Sequence, residues 1–274
     1  MNARFWSILF CGIFSMFANG SSIAFLYAME TEGILFEKEN GPALRSFQLG
    51  QTSVKEYQVA GHRVFALQMG AGTTITTRNI TALLTSQRIE YLVSVGPVGS
   101  ISEHGIGKWF QVETVMPWQS GSWTTGGFQP KEGWSLKTKE LPAPLDLPFL
   151  SVASGDAFIA ASEIRNEIAV RTSCDAVDMN LLGLMTSLDS LEVNHVHFRV
   201  ISDHADDEAA EAFKVFRKNY QGKGATLAKL WIEQLPEDQT SPENYENLRK
   251  ILRGTSASTQ PSLPTSEESG VPED

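Results

Sequence analysis

Two cysteines, Cys11 and Cys174, in 274 residues supply no disulfide framework, so the fold must rest on a hydrophobic core. Cys174 reads as a small buried hydrophobe or an idle thiol. Twenty consecutive apolar residues never occur, which argues against a membrane span. Basic residues are short as well: 22 Lys and Arg stand against 32 Asp and Glu, a formal charge of −10. That balance argues against a nucleic-acid groove or an anionic membrane surface as the main partner. Neither a GxGxxG fingerprint nor a Walker Lys-Ser is present, so the glycine pairs give little support to nucleotide phosphates. No internal repeat is visible.

The chain is long enough to bury one sizeable core or two small ones. Its two ends differ from the middle. Arg4 precedes an apolar run from Phe5 to Phe17 and then Ala18-Asn19-Gly20-Ser21, so residues 1–20 read as a signal-peptide-like extension. A retained apolar extension, or a true start at Met16, remains the alternative. Residues 236–274 hold eight acids against three bases, half of the net charge. Within them 241–252 has the pattern of a short helix, with Ser241 as N-cap and Pro242 at the first helical position. The tail from Gly254 onward, rich in Ser, Thr, Pro and Glu, is expected to be disordered.

Between the ends, short apolar runs alternate with helical patterns, the rhythm of a largely buried sheet between helices. Strands are expected at 23–28, 63–69, 91–95, 109–116, 149–153, 175–178 and 195–201, and helices at 74–90, 160–169, 180–191 and 207–235. The expected fold is a single α/β domain over 21–235, three layers with a mixed central sheet flanked by helices.

In such sheets a site forms beyond the carboxyl ends of the strands. Those ends read Ala28-Met29-Glu30-Thr31-Glu32, Gly70-Ala71-Gly72, Gly96-Pro97-Val98-Gly99-Ser100, Ser154-Gly155-Asp156-Ala157-Phe158, Asp178-Met179-Asn180 and Ser202-Asp203-His204-Ala205-Asp206. Several offer carboxylates or glycines together. Glu30 and Glu32 have no Lys or Arg beside them and would repel a phosphate, so a base that activates water fits that end better. On composition alone Asp203 could be a helix N-cap, Glu32 a first-turn acid and Phe158 a core ring.

Taken together, AMETE at 28–32, SGDAFI at 154–159, AVDMN at 176–180 and RVISDHAD at 199–206 resemble the 5′-methylthioadenosine/S-adenosylhomocysteine nucleosidase family, futalosine hydrolases included, within the nucleoside phosphorylase superfamily. The resemblance runs from about Ile23 to Leu235. It implies a nucleoside phosphorylase-like fold and hydrolysis of the N-glycosidic bond of 5′-modified adenosines: methylthioadenosine, adenosylhomocysteine, 5′-deoxyadenosine or 6-amino-6-deoxyfutalosine. The products implied are adenine and a 5′-substituted ribose. Asp203 matches the general acid that protonates purine N7, with Ser202 orienting it, and Glu32 matches the carboxylate that activates water. Phe158 matches the ring stacked on adenine and Ile159 the residue whose backbone reads the base edge. Met179, Asn180 and Arg199 fall at the ribose, Phe213 closes over the substrate, and Gly99 ends the glycine segment. The resemblance also implies a homodimer and no cofactor.

Three departures stand out. The ribose-binding motif of the family ends in Glu where this chain has Asn180, which both donates and accepts. The usual Gly-Ser-Ala-Gly is replaced by Gly96-Pro97-Val98-Gly99. Residues 116–135, with Trp118, Trp123 and Trp134, show no family pattern and are candidates for the 5′ pocket or a dimer contact. His195 and His197 share one face of a strand without a third ligand at zinc spacing, so no metal site is expected. Two other readings stay open: a phosphate-dependent phosphorylase, against which Glu30, Thr31 and Pro97 speak, and a nucleoside-binding protein without turnover. Location stays open too, the N-terminus suggesting export and the substrate class the cytoplasm.

Overall fold

The computed structural model describes residues 20–130, 135–138, 147–189 and 191–235. The signal-peptide-like extension, up to residue 19, and the acidic tail with its short helix over 236–274 lie outside the described residues. The first apolar run forms β1 (Ser22–Tyr27), whose side chains alternate between two buried faces. Ile23 and Phe25 join one core, Ala24 and Leu26 the other. The chain continues through α1 (Glu30–Asn40), β2 (Arg45–Leu49), β3 (Thr52–Val59), β4 (His62–Gln68), α2 (Thr73–Ser86), β5 (Tyr91–Ser100) and β6 (Trp109–Pro117). A hairpin of β7 (Gly121–Thr124) and β8 (Gly127–Pro130) follows, then β9 (Leu136–Lys137), β10 (Phe149–Ser154), α3 (Ser162–Thr172) and β11 (Ala176–Asp178). The last elements are α4 (Leu181–Leu188), β12 (Asn194–Asp203), α5 (Ala209–Tyr220) and α6 (Gly224–Ile232).

Ten strands make one sheet, on the path β11-β10-β6-β12-β5-β1-β4-β3-β2 with β9 beside β6. The central pairs β4–β1–β5–β12 are parallel, and β12–β6, β4–β3 and β3–β2 are antiparallel. β11 pairs in parallel with β10 and, on its other side, antiparallel with β5, Val177 facing Gly99. Five strands therefore close into a ring, β5-β12-β6-β10-β11, from which β1, β4, β3 and β2 extend as a wing. On one face α1, α5 and α6 bring Phe36, Phe216 and Trp231 onto Phe25, Val95 and Phe198. On the other, Ile80 and Leu83 of α2 and Leu184 of α4 cover Leu26, Leu92 and Ile201. Each such fully buried large side chain contributes about 1.5–3 kcal/mol. The expected α/β domain with a mixed sheet between helices is present.

All seven expected strands have an observed counterpart, with three informative differences. The segment 96–100 is not a loop but the continuation of β5, held by β12 on one side and β11 on the other. The single helix expected over 207–235 is two, because Gln221 and Gly222 take positive φ (51° and 75°) between α5 and α6. A Cβ on Gly222 would stand 2.2 Å from the Thr31 carbonyl oxygen, so only glycine lets this turn meet α1. Finally α1, β2, β3 and the short strands β7, β8 and β9 were not among the expected elements: α1 buries only Glu32 and Phe36, and β2 is a largely exposed edge.

Candidate active site

The carboxyl ends of β1, β4, β5, β10, β11 and β12 converge on one cavity of about 280 Å³. Eight of the ten site residues expected from sequence line it: Gly99, Phe158, Ile159, Met179, Asn180, Ser202, Asp203 and Phe213. Glu32 and Arg199 do not. Both are fully buried in the wall behind it.

Asp203 ends β12 with 2% of its surface exposed. Its Oδ1 accepts the Ala205 N–H at 2.9 Å, and Oδ2 lies 2.7 Å from the Ser202 hydroxyl. That hydroxyl also reaches the Val98 carbonyl oxygen at 3.0 Å. A hydroxyl has one hydrogen, so Ser202 serves both states of its neighbour: it donates to an ionised Asp203, or donates to Val98 and accepts from a protonated one. Burial raises the Asp203 pKa, outweighing the bonds from Ser202 and Ala205 and the nearby His204. Room for this carboxyl comes from Gly99, where a Cβ would stand 2.8 Å from Asp203 Oδ1.

Over the cavity mouth stand Phe158, 46% exposed, and Phe213, their ring centroids 5.7 Å apart. The two rings touch at a tilt of 52°, and the exposed Phe158 offers a ring surface on which a flat aromatic ligand can stack. The SGDAF loop that carries Phe158 is tied down by Asp156, whose Oδ1 accepts the Thr73 N–H. Asn180 starts α4, and its Nδ2 donates to the Gly70 carbonyl oxygen, which leaves Oδ1 as its acceptor. Asp178 was left out of the expected site set, although its strand end had been noted. It lines the cavity, and its carboxylate receives the Leu181 N–H. Burial raises its pKa despite Arg199.

Glu32, three residues after Met29, folds back to cap α1: its Oε2 accepts the N–H groups of Ala28 and Met29 at 3.0 and 2.9 Å. Its Oε1 accepts from the hydroxyl of Tyr220, at the end of α5. Burial nevertheless raises its pKa above the ordinary carboxylate range. Three donors fill three of the roughly four acceptor sites of a carboxylate, leaving one. Tyr220 was not foreseen, and no local pattern marks it, since it meets Glu32 only through the fold.

Arg199 lies at the centre of a buried polar column. Its Nη1 donates to Ser94 Oγ at 3.1 Å and to the carbonyls of Ser94 and Phe198, and its Nε stands 3.9 Å from Asp178 Oδ2. Its Nη2 has no hydrogen-bond partner. Ser94 Oγ lies 2.8 Å from His197 Nδ1, and His197 Nε2 lies 3.0 Å from His195 Nδ1. Arginine only donates, so Ser94 Oγ accepts from it; where Ser94 passes its own hydrogen to His197 Nδ1, His197 is the Nε2–H tautomer and donates to His195 Nδ1. Burial, followed by the charges of His195 and Arg199, pushes the His197 pKa well below its ordinary value. The two histidines thus belong to the scaffold under the site. Among the described residues no group of three or more His, Cys, Asp or Glu is placed to hold a metal ion, and no helix is long and apolar enough to cross a membrane. Of the tryptophans in 116–135, Trp118 packs beside Gly155, and Trp134 lies outside the described residues.

No model of a protein family matches the chain, and no curated protein matches it. Solved structures do. A futalosine hydrolase mutant of Helicobacter pylori matches with a TM-score of 0.70 at 18% identity, over 78% of this chain and 100% of that one. The S-adenosylhomocysteine nucleosidase of Streptococcus pyogenes, in complex with 5-methylthiotubericidin, matches with a TM-score of 0.69 at 18% identity, over 80% and 98%. The 5′-methylthioadenosine/S-adenosylhomocysteine nucleosidase of Neisseria meningitidis, in complex with methylthio-immucillin-A, matches with a TM-score of 0.69 at 19% identity, over 78% and 100%. At these identities the likeness establishes the fold, which this chain shares with those three structures.

Proposed function

We propose that the chain is a purine nucleosidase that hydrolyses the N-glycosidic bond of 5′-modified adenosines, without phosphate. The observation that carries this reading is Asp203: a buried carboxyl with a raised pKa, backed by Ser202, at a cavity whose mouth is formed by Phe158 and Phe213. A carboxyl whose pKa is raised by burial holds its proton more readily and can deliver it to purine N7 as the bond to the sugar breaks. Phe158 stacks on the base and the Ile159 backbone meets its edge. Met179 and the free Oδ1 of Asn180 face the sugar, with Arg199 and Asp178 behind them. The remaining acceptor site of Glu32 takes the proton of the attacking water, which then adds to the anomeric carbon on the face opposite the base. Adenine leaves, and a 5′-substituted ribose remains. Asp203 and Glu32 then divide acid and base duties between two carboxyls. The likeness in fold to a futalosine hydrolase and to methylthioadenosine/adenosylhomocysteine nucleosidases supports this substrate class. The activity is assigned to residues 21–235, and the active form to a homodimer, which sedimentation of the full chain tests.

A second reading has its own support. Glu32 is sealed behind Met29 by three donors and does not line the cavity, and Asn180 stands where the family has a carboxylate. Both fit a nucleoside-binding protein without turnover. Adenine release from methylthioadenosine, adenosylhomocysteine, 5′-deoxyadenosine and 6-amino-6-deoxyfutalosine, in phosphate-free buffer, separates the two. Release that disappears in Asp203→Asn and Glu32→Gln establishes the hydrolase. Binding without release establishes the second reading, and release only on addition of phosphate establishes a phosphorylase.

A further inference from the structure

The first four backbone N–H groups of a helix have no partner within it. At the rim of the cavity two helices begin behind a residue that has no side-chain oxygen to offer them: Gly72 precedes α2 and Ala161 precedes α3. Each receives its cap from a distant part of the chain. Asp156, 83 residues beyond Thr73, accepts the Thr73 N–H on Oδ1 and closes the start of α2. Asp207, 45 residues beyond Ser162, does the same for α3: its Oδ2 accepts the Ser162 hydroxyl at 2.5 Å, and its carboxylate also receives the Ser162 N–H. Both bonds set a negative charge at a helix N-terminus, where it is favoured.

Between these two anchors lies the segment that carries the exposed ring. Residues 157–161 form no regular element, yet Ala157, Phe158 and Ile159 all line the cavity. On its near side the Asp156 N–H donates to Gln119 Oε1 at 2.8 Å, and the Gly155 N–H to the Asp178 carbonyl oxygen at 3.1 Å. In its middle the Ile159 side chain is buried with Val177 and Ala205. On its far side the anchor belongs to the strand end that carries the acid, since Asp207 follows Asp203 by four residues. The Phe158 ring meets Phe213 but is 46% exposed, so core packing alone does not fix where it stands.

We propose that Asp156 and Asp207 are positioning residues: as caps supplied to α2 and α3, they hold the segment 157–161 taut over the cavity and set the place of the Phe158 ring against the base. The ring's role rests on the nucleosidase reading, whereas the two caps stand on the geometry alone. A ring already held in place loses little freedom when the ligand arrives. A slack segment must be ordered at that moment, which weakens the binding of substrate and transition state alike.

The test uses the full chain with Asp156→Ala, Asp207→Ala and the double variant, beside Asp156→Asn and Asp207→Asn, since asparagine caps a helix about as well as aspartate does. The ligands are the four nucleosides named above. Adenine release gives KM and kcat, calorimetry on the Asp203→Asn background gives Kd, and hydrogen exchange without ligand follows the amides of 157–161. In the alanine variants KM and Kd are expected to rise about tenfold, the size of a lost aromatic contact, and exchange over 157–161 to quicken. The turnover number should stay within about twofold, because uniform binding is what is lost. The asparagine variants should stay close to the native chain. A merely structural role would lower the folded fraction, and with it the apparent kcat, leaving KM where it was. That result overturns the proposal, as does unchanged exchange over 157–161, or a loss as large with asparagine as with alanine. Binding without release of adenine overturns the hydrolase alone, and the Kd comparison then decides the placement of the ring. No binding of any of the four by the native chain overturns both.

Discussion

Tyr220 donates its hydroxyl hydrogen to Glu32 across 188 residues of chain, and the same phenol oxygen accepts the N–H of Gly224. One bond thus ties the first helix, the break between α5 and α6, and the carboxylate assigned to the attacking water. The bond favours the charged form of Glu32 and holds its pKa lower than burial alone would set it.

Tyr220→Phe removes that donor. The Glu32 pKa should rise further, and because a water-activating carboxylate must be ionised, the acid limb of the kcat/KM profile should move to higher pH. Stability should fall by about 1–3 kcal/mol, the cost of an unmade bond to a buried charged group. Denaturant unfolding together with a pH–rate profile checks both. An unmoved limb would detach Glu32 from the chemistry.

Asp203→Asn should abolish adenine release and stabilise the fold. A carboxyl whose folded pKa is raised leaves the native state holding more protons than the unfolded one, so stability falls as pH rises from the ordinary carboxylate range through the folded value. Asparagine carries no such loss. The Tm advantage of the variant should therefore be small at pH 4 and larger at pH 8, and a constant difference would contradict the raised value.

Gly99→Ala places a methyl group 2.8 Å from Asp203 Oδ1 and 3.2 Å from the Ala205 Cβ. The carboxyl must move, because the backbone on both sides is held by β11 and β12. Overpacking of this kind costs about 1–3 kcal/mol, and turnover should fall by a larger factor than Tm suggests. Unchanged kcat with an unchanged Tm would show that Asp203 has slack.

His197 titrates in the opposite sense. Its folded pKa lies well below the ordinary histidine value, so the stability it contributes is complete above about 6.5 and is lost as pH falls below that. His197→Asn should flatten the decline in stability between pH 7 and pH 5. Nitrogen-15 spectra of the native chain should show His197 neutral with the proton on Nε2. A proton on Nδ1 would mean that Ser94 Oγ accepts from both Arg199 and His197.

Much of the site could be read directly from the sequence because its parts lie at strand ends: Phe158 and Ile159 follow β10, Met179 and Asn180 follow β11, and Asp203 ends β12. Each comes with its own contiguous motif, and the parallel strands bring the motifs together. What stayed hidden depends on distant partners. The sealing of Glu32 needs Tyr220, and the burial of Arg199 needs Ser94, 105 residues away. Neither leaves a local trace. The helix α1 carries charges through most of its turns, and β2 and β3 alternate polar with apolar residues, so a search for apolar runs passes over all three. The Gly96–Gly99 segment looks like a loop by composition and is a strand because β11 and β12 hydrogen-bond it from both sides.

The three residues of β11 close the ring by pairing with both β10 and β5, and this has a consequence for solubility. Of the two ends of the sheet path, one is folded back on itself and offers no backbone groups to another chain. The other end is β2, five residues long, with Arg45 paired to Glu56 of the neighbouring strand. Short length and a charge at the start are the usual means by which a free edge resists pairing with a second molecule. Lengthening β2 or replacing Arg45 with an apolar residue would remove that protection at the end of the sheet farthest from the ring.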